Sequence, residues 1–261
     1  NRLVKLGFLQ MQRRAYDAAL PWVQYAADLG LAGGLNNLGG LYENGWGVPQ
    51  DYAKAAALYQ KAADAGNSDA MSNLALLYEN GQGVPQDLAK AAELYQKGAD
   101  AGNPDAMNNL GLLYENGQGV SQDCAKAAEL FQKGADAGNP CALNNLGVLY
   151  ANGRGVPQDC AKAAELYQKG ADAGNPDAMY NLGVMYTNGR GVPQDYAKAA
   201  ELFQKSADAG NSDAITYLGF LYNKGRGVPQ DYAKAAELFQ KSADAGHTNA
   251  TYNLGVLYET G

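Results

Sequence analysis

The 261-residue sequence predicts an all-α solenoid of helix-turn-helix repeats. A short segment recurs at a fixed spacing of 36 residues (from 47 to 83), and the apolar residues between its copies recur with the spacing of a helix. The segment Gly-Val-Pro-Gln-Asp, with one Ser for Pro, starts at Gly47, Gly83, Gly119, Gly155, Gly191 and Gly227. A period in this range is typical of a helical array in which each unit packs on its neighbours.

Residues 1–30 form a divergent and shorter unit. Leu6 corresponds to Leu38, which gives this unit 32 residues (from 6 to 38), and the Gly-Val-Pro-Gln-Asp loop is missing. Val23 takes the position that Tyr59 holds in the next unit. The sequence therefore predicts a shorter helical hairpin at this end.

The first helix of a repeat is predicted from Ser68 to Asn80. An apolar stripe runs along one face, because the spacing of its members is i, i+4, i+7 and i+8: Ala70, Leu74, Leu77 and Tyr78. In another copy, Asn103-Pro104 provides an N-cap residue followed by a proline in the first turn. Gly81 suits a left-handed C-terminal cap.

The second helix is predicted from about Asp87 to about Ala101, with Asp87 as cap or first-turn acid. Glu93 and Lys97 lie four residues apart in the favourable order and mark a solvated outer face. The near-identical units of residues 31–261 thus continue a single predicted solenoid over residues 1–261. Its last unit is incomplete, and Leu254, Leu257 and Tyr258 are expected to form an exposed face.

Composition limits the possible functions. The net charge is −7 and the pI is about 4.8, which argues against binding of the nucleic-acid backbone. No apolar run reaches the length that a membrane span needs. The three cysteines are Cys124, Cys141 and Cys160; their positions in the repeat keep them apart as free thiols. Free thiols favour a reducing compartment, the cytoplasm, with a secreted bacterial effector as the alternative.

The repeats resemble the Sel-one-like repeat family, the 36-residue relatives of tetratricopeptide repeats. The family pattern appears as Ala106 to Tyr114, Gly117 to Asp123, Lys126-Ala127, and Lys61-Ala62-Ala63 with Gly66. This resemblance covers roughly residues 31–261. It implies a right-handed superhelix of helical hairpins that acts as an adaptor and holds partners on its concave side.

One asparagine recurs immediately before the leucine of the first helix, on the presumed inner wall. A carboxamide donates and accepts hydrogen bonds at once, so this ladder could grip the backbone of an extended peptide. The alternative is that each asparagine only bonds the neighbouring unit. The residues proposed for peptide binding are Asn73, Asn109, Asn145 and Asn181.

Departures from the repeat pattern point to the C-terminal half of the same wall. Four aromatic residues gather there: Tyr180, Tyr217, Phe220 and Tyr252. Exposed aromatic side chains are common binding anchors, although repacking within the core would explain them as well.

The hairpin loops change charge along the chain. Glu43, Glu79 and Glu115 belong to the early units, and Arg154, Arg190 and Arg226 to the later ones. One edge is therefore expected to run from acidic to basic, either as a charged binding edge or as an ordinary solvated one.

No catalytic site, metal site or cofactor is predicted. The one histidine, His247, stands where other copies carry a cap asparagine, so neither a His–Cys pair nor a histidine metal cluster can form. The sequence predicts a non-enzymatic scaffold for a protein or an extended peptide. Two alternatives remain: the targeting or regulatory arm of a larger enzyme, and a designed consensus-like scaffold without a native partner. The oligomeric state cannot be read from the repeats.

Overall fold

The structure is a computed structural model that describes residues 2–260. Within these residues it contains fifteen α-helices and no strand. The helices are α1 (Arg2–Gln12), α2 (Tyr16–Asp28), α3 (Ala32–Asn44), α4 (Tyr52–Asp64), α5 (Ser68–Asn80), α6 (Leu88–Asp100), α7 (Pro104–Asn116), α8 (Cys124–Asp136), α9 (Pro140–Asn152), α10 (Cys160–Asp172), α11 (Pro176–Asn188), α12 (Tyr196–Asp208), α13 (Ser212–Lys224), α14 (Tyr232–Asp244) and α15 (Thr248–Thr260).

The helices fall into two compact units, Asn1–Gly138 with α1–α8 and Asn139–Gly261 with α9–α15. From α3 onwards, the odd-numbered helices are the first helices of the repeats and the even-numbered ones are the second helices. Within each unit, a first helix packs on the second helix of its own repeat, and that helix packs on the next first helix. This succession is the all-α solenoid class that the sequence predicts. Among residues 2–260, every helix is too short or too polar to cross a membrane.

Side-chain caps fix where the helices begin and end. The Oδ1 atom of Asn103 accepts a hydrogen bond from the backbone N–H of Ala106 at 2.8 Å, and Pro104 fills the first position of α7. Asp87 caps α6 in the same way, accepting from the N–H of Lys90 at 2.9 Å. Gly81 closes α5 with φ +67°, a left-handed conformation that glycine adopts without steric cost. The predicted bounds of both helices are confirmed within one residue.

The recurring loop is a connector with a role for each side chain. The Nε2 atom of Gln86 donates to the carbonyl of Glu79 at 2.8 Å and so satisfies the last turn of α5. Val84 is half-buried against the core, and Asp87 then caps the following helix. The same glutamine bond recurs in the loops of Gln50, Gln122, Gln158, Gln194 and Gln230.

Close packing of the hairpins depends on one aromatic ring set against a small residue. The ring of Phe131 on α8 is buried, and a Cβ atom built on Gly111 of α7 would lie 2.6 Å from it. The glycine therefore lets the ring lie close against the first helix. In the preceding repeat, formed by α5 and α6, Ala75 takes the position of Gly111 and the buried ring of Tyr95 takes that of Phe131. The packing of this hairpin therefore accommodates one additional methyl group.

The divergent first hairpin uses the same contact on a smaller scale. A Cβ atom on Gly7 would lie 2.7 Å from Val23, which is 1% exposed, whereas the neighbouring Trp22 is 46% exposed. Val23 therefore takes the structural place of the buried ring, as predicted.

The expectation for the last helix is wrong in part. Leu254 and Leu257 are buried, at 9% and 7% exposure, and pack with Phe239 of α14. Tyr258, at 74% exposure, is the one residue of the three that is exposed. The two leucines continue the apolar stripe of every first helix, and one such stripe needs only the preceding second helix to cover it.

Candidate functional site

The asparagine ladder is built into the contacts between repeats. The Nδ2 atom of Asn73 on α5 donates to Oδ1 of Asn36 on α3 at 3.1 Å, and Asn181 on α11 donates to Asn144 on α9 at 2.8 Å. Asn109 accepts from its neighbour Asn108 at 3.1 Å, and Asn145 accepts from Asn144 at 3.3 Å. The alternative interpretation, a bond to a neighbouring unit, therefore describes Asn73 and Asn181. All four side chains are half-buried, so each keeps contact with solvent.

Three aromatic rings form a fixed cluster at the centre of the second unit. The rings of Tyr180 and Tyr217 meet edge to face with centroids 5.5 Å apart, and Phe203 lies 5.9 Å from the first and 5.3 Å from the second. Tyr180 is half-buried, but Tyr217 remains 38% exposed. The cluster is therefore partly core, as the alternative interpretation proposes, and partly open surface.

An open pocket of about 330 Å³ lies between the first helices α13 and α15. Thr216, Tyr217 and Phe220 line it from α13, and Asn249, Tyr252 and Asn253 line it from α15. Tyr252 is 73% exposed. The pocket thus brings together three of the four predicted aromatic residues, with Tyr180 fixing the ring of Tyr217 from one side. Asn253 is the α15 copy of the asparagine ladder, whereas Asn249 was missed as a candidate on this wall.

Two arginines of the later loops, Arg190 and Arg226, contact the preceding repeat. The guanidinium group of Arg190 reaches the carbonyl of Ala151 at 3.3 Å and the Sγ atom of Cys160 at 3.6 Å. That of Arg226 lies over the rings of Tyr196 and Phe220, 5.3 and 5.9 Å from their centroids. Arg154 is exposed and also has a polar or ring contact. Trp46 plays the same part in the first unit, stacked on Tyr16 at 4.6 Å.

The expected acidic edge is wrong. Glu43 and Glu79 lie within the last turns of α3 and α5, where they accept hydrogen bonds from the buried hydroxyl groups of Tyr59 and Tyr95, the latter at 2.8 Å. Glu115 is only 9% exposed. A buried hydroxyl group needs an acceptor, and these carboxylates supply it inside the hairpin rather than at its edge.

A ladder of lysines and tyrosines escaped the sequence analysis. Lys162, in the first turn of α10, donates to the hydroxyl group of Tyr150 at 2.7 Å and lies 4.2 Å from its ring centroid. That hydrogen bond raises the pKa of Lys162. Equivalent pairs join Lys54 to Tyr42, Lys90 to Tyr78, Lys126 to Tyr114 and Lys198 to Tyr186. Both residues recur in these repeats twelve positions apart, so the pattern was visible in the sequence.

The hydroxyl groups of the buried tyrosines are expected to make the stability of the protein fall at alkaline pH. Burial raises the pKa of Tyr59, Tyr95 and Tyr167 above the ordinary value near 10. When the pKa of a group is higher in the folded state, the contribution of that group to stability is fully present below its unfolded-state pKa. That contribution is lost as the pH rises above the unfolded-state pKa. We therefore expect the free energy of unfolding to fall above about pH 10. These three tyrosines should ionise only as the helices unfold.

Tyrosinate absorbance and far-ultraviolet circular dichroism, followed together against pH, check this expectation. Tyr95→Phe is the matched variant, because Phe131 already occupies the equivalent position, and it should remove one tyrosine from the late step. Complete ionisation near pH 10 with an intact helical signal would contradict the burial argument.

The titratable residues of the described chain give no obvious metal centre. Among residues 2–260, no group of three or more His, Cys, Asp or Glu side chains lies close enough to hold a metal ion. His247 Nδ1 lies 3.5 Å from a carboxylate oxygen of Asp213, the place where Asn211 contacts Asp177 in the preceding repeat. Within the same residues, Cys124, Cys141 and Cys160 form no disulfide bond.

Comparisons with known proteins agree with this architecture. A family model described as Sel1 repeat matches seven segments: residues 32–67, 68–103, 104–139, 142–175, 176–211, 212–247 and 248–261. Among curated proteins, no relative matches the sequence.

Solved structures share the fold along most of the chain. The protein c5321, a protective antigen present in uropathogenic Escherichia coli strains and displaying an SLR fold, is 36% identical with a TM-score of 0.81. The match covers 99% of this chain but 56% of that one, so this chain spans little over half of its length. A Sel1 repeat protein from Oxalobacter formigenes is 26% identical with a TM-score of 0.83, covering 93% and 97% of the two chains. Immunity protein Pa5087 from Pseudomonas aeruginosa is 25% identical with a TM-score of 0.54, covering 82% and 81%.

Proposed function

Because the chain belongs to the Sel1 repeat family, whose members generally mediate protein–protein interactions, we propose that it is a non-enzymatic scaffold for a protein or an extended peptide. The partner binds on the face of the first helices, which we take to be the concave one. The observation that carries the proposal is the open pocket between α13 and α15, where Tyr217, Phe220 and Tyr252 line one cavity. Aromatic side chains in such cavities contribute a large share of the binding energy at protein interfaces.

The asparagines add hydrogen bonds to the backbone of the partner in this proposal. Asn145 and Asn181 serve the second unit, and Asn73 and Asn109 the first. Each carboxamide has two donor hydrogens and an acceptor oxygen with two lone pairs, and all four side chains are half-buried, so a peptide lying on this face can exchange hydrogen bonds with them.

The later-loop arginines favour a partner that carries acidic residues where it lies beside this face. Arg190 and Arg226 remain exposed after contacting the preceding repeat, and Arg154 is exposed at the equivalent loop position. Their charge favours acidic residues in a partner that leaves the pocket along this edge, and it raises the rate of association more than the final affinity.

A pair of double variants tests the proposal once a partner has been isolated by affinity purification. Asn145→Ala with Asn181→Ala should weaken binding by at least about 1 kcal/mol, the net contribution of one hydrogen bond. The matched pair, Glu165→Ala with Lys169→Ala on the exposed face of α10, should leave the affinity unchanged. Titration calorimetry measures both.

The control pair also tests an alternative surface. Glu165 and Lys169 line a separate pocket of about 440 Å³ with Leu182 and Tyr186. Because Asn181 also bonds Asn144, the urea midpoint of each variant must be measured alongside its affinity. Loss of binding in the α10 pair, with none in the asparagine pair, would place the partner on the second helices and refute the proposal.

A further inference from the structure

The pocket between α13 and α15 is lined entirely by uncharged side chains. Three aromatic rings, two carboxamides and one hydroxyl group face the cavity. We propose that it binds a proline-rich segment of the partner in the polyproline II conformation. This inference rests on the proposed function, because it names the chemistry of the partner at the same face.

The aromatic walls are held in place before a partner arrives. Tyr217 is fixed by the edge-to-face contact with Tyr180 and by Phe203, while the guanidinium group of Arg226 lies 5.9 Å from the ring centroid of Phe220. Tyr252, 73% exposed, forms the opposite wall. Proline-rich segments dock on aromatic-lined grooves, and they lose little conformational entropy because the polyproline II helix is already formed. A fixed pocket and a stiff ligand together reduce the entropic cost of association.

The carboxamides of the pocket match the axial spacing of carbonyl groups in such a segment. A polyproline II helix makes no internal hydrogen bonds, so its carbonyl oxygens need external donors. Asn249 and Asn253 are four residues apart on α15, which separates them by roughly 6 Å along the helix axis. Carbonyl groups two residues apart in polyproline II are also separated by roughly 6 Å along its axis, although their directions differ by a third of a turn. Thr216 is not needed as a donor, because its hydroxyl group already bonds Ser242 at 2.7 Å.

Charge distinguishes a proline-rich segment from a cationic ammonium group, the other class of ligand that aromatic pockets bind. Three aromatic side chains can also bind a cationic ammonium group. Here Arg226 lies against Phe220, so a second cation beside that ring meets a like charge. No lining residue is an acid that would compensate for desolvation of the cation. A neutral proline ring meets neither cost.

Binding of a labelled, N-acetylated and C-amidated decaproline peptide to the full chain tests the inference by fluorescence anisotropy. We expect saturable binding that Tyr252→Ala weakens by at least about fivefold, the loss of one aromatic anchor, while Tyr252→Phe retains it. Tyr258→Ala is the matched control, because Tyr258 lies on the same helix with 74% exposure, outside the pocket. It should leave the affinity unchanged.

Three results would overturn the inference: no saturable binding of decaproline, an equal loss in Tyr258→Ala, or tighter binding of a peptide in which lysine replaces every third proline. Failure of decaproline, with a natural partner still bound on the first helices, rejects the ligand class alone. A natural partner bound on the second helices rejects the proposed function as well.

Discussion

Replacing Gly119 by alanine is expected to lower the free energy of unfolding of the first unit by about 2–5 kcal/mol. Gly119 has φ +69°, where an alanine costs roughly 1–2 kcal/mol. Its Cβ atom would lie 2.2 Å from the carbonyl oxygen of Leu88, at the start of α6. That oxygen belongs to the backbone, so relief requires α6 to move away from the next repeat, and such overpacking adds about 1–3 kcal/mol.

Gly102→Ala is the matched control for the backbone contribution. Gly102 also has positive φ, +87°, but a Cβ atom there would meet nothing within 4 Å. It should therefore cost only roughly 1–2 kcal/mol. Urea unfolding followed by circular dichroism compares the two midpoints. Equal midpoints would show that the close approach of loop and helix contributes nothing to the stacking of repeats.

Most of the fold follows from local chemistry that the sequence displays. Asn103 and Asp87 cap helices, and Gly81 ends one, through contacts within four residues in the chain. Such short-range signals can be read from the spacing of the residues alone, and they recur in each 36-residue repeat. The helix bounds were therefore predictable to about one residue.

Contacts between repeats were harder to predict because they join residues about 30 positions apart. Trp46 stacks on Tyr16 and Arg226 lies over Tyr196, at the same place in two repeats that are five units apart but with different chemistry. A pattern search based on identical residues does not connect them. For the same reason, Glu43 and Glu79 were assigned to an acidic edge, although the hydroxyl groups that they bind lie sixteen residues further on, across the hairpin.

The residues of the candidate site were also selected on two different grounds. Tyr217, Phe220 and Tyr252 were selected because they depart from the repeat, and the structure places them around one pocket. The asparagines were selected because they recur, and recurrence reflects inter-repeat bonding just as readily as binding, as Asn73 and Asn181 show. Three of the departures from the repeat thus meet at one pocket, whereas recurrence alone does not separate peptide binding from bonding between repeats.

Site-specific photo-crosslinking tests the central claim most directly, that a partner binds on the first helices. The photoreactive residue p-benzoylphenylalanine replaces Tyr252 on α15 in one variant and Glu237 on α14 in the other; Glu237 is a second-helix side chain with 68% exposure. Both positions reach solvent, so a difference in yield reports the location of the partner. The account predicts that one identified protein is crosslinked at position 252 with at least about tenfold higher yield than at 237, because only the first position lies at the aromatic anchors. An equal or higher yield of that protein at position 237 would contradict it.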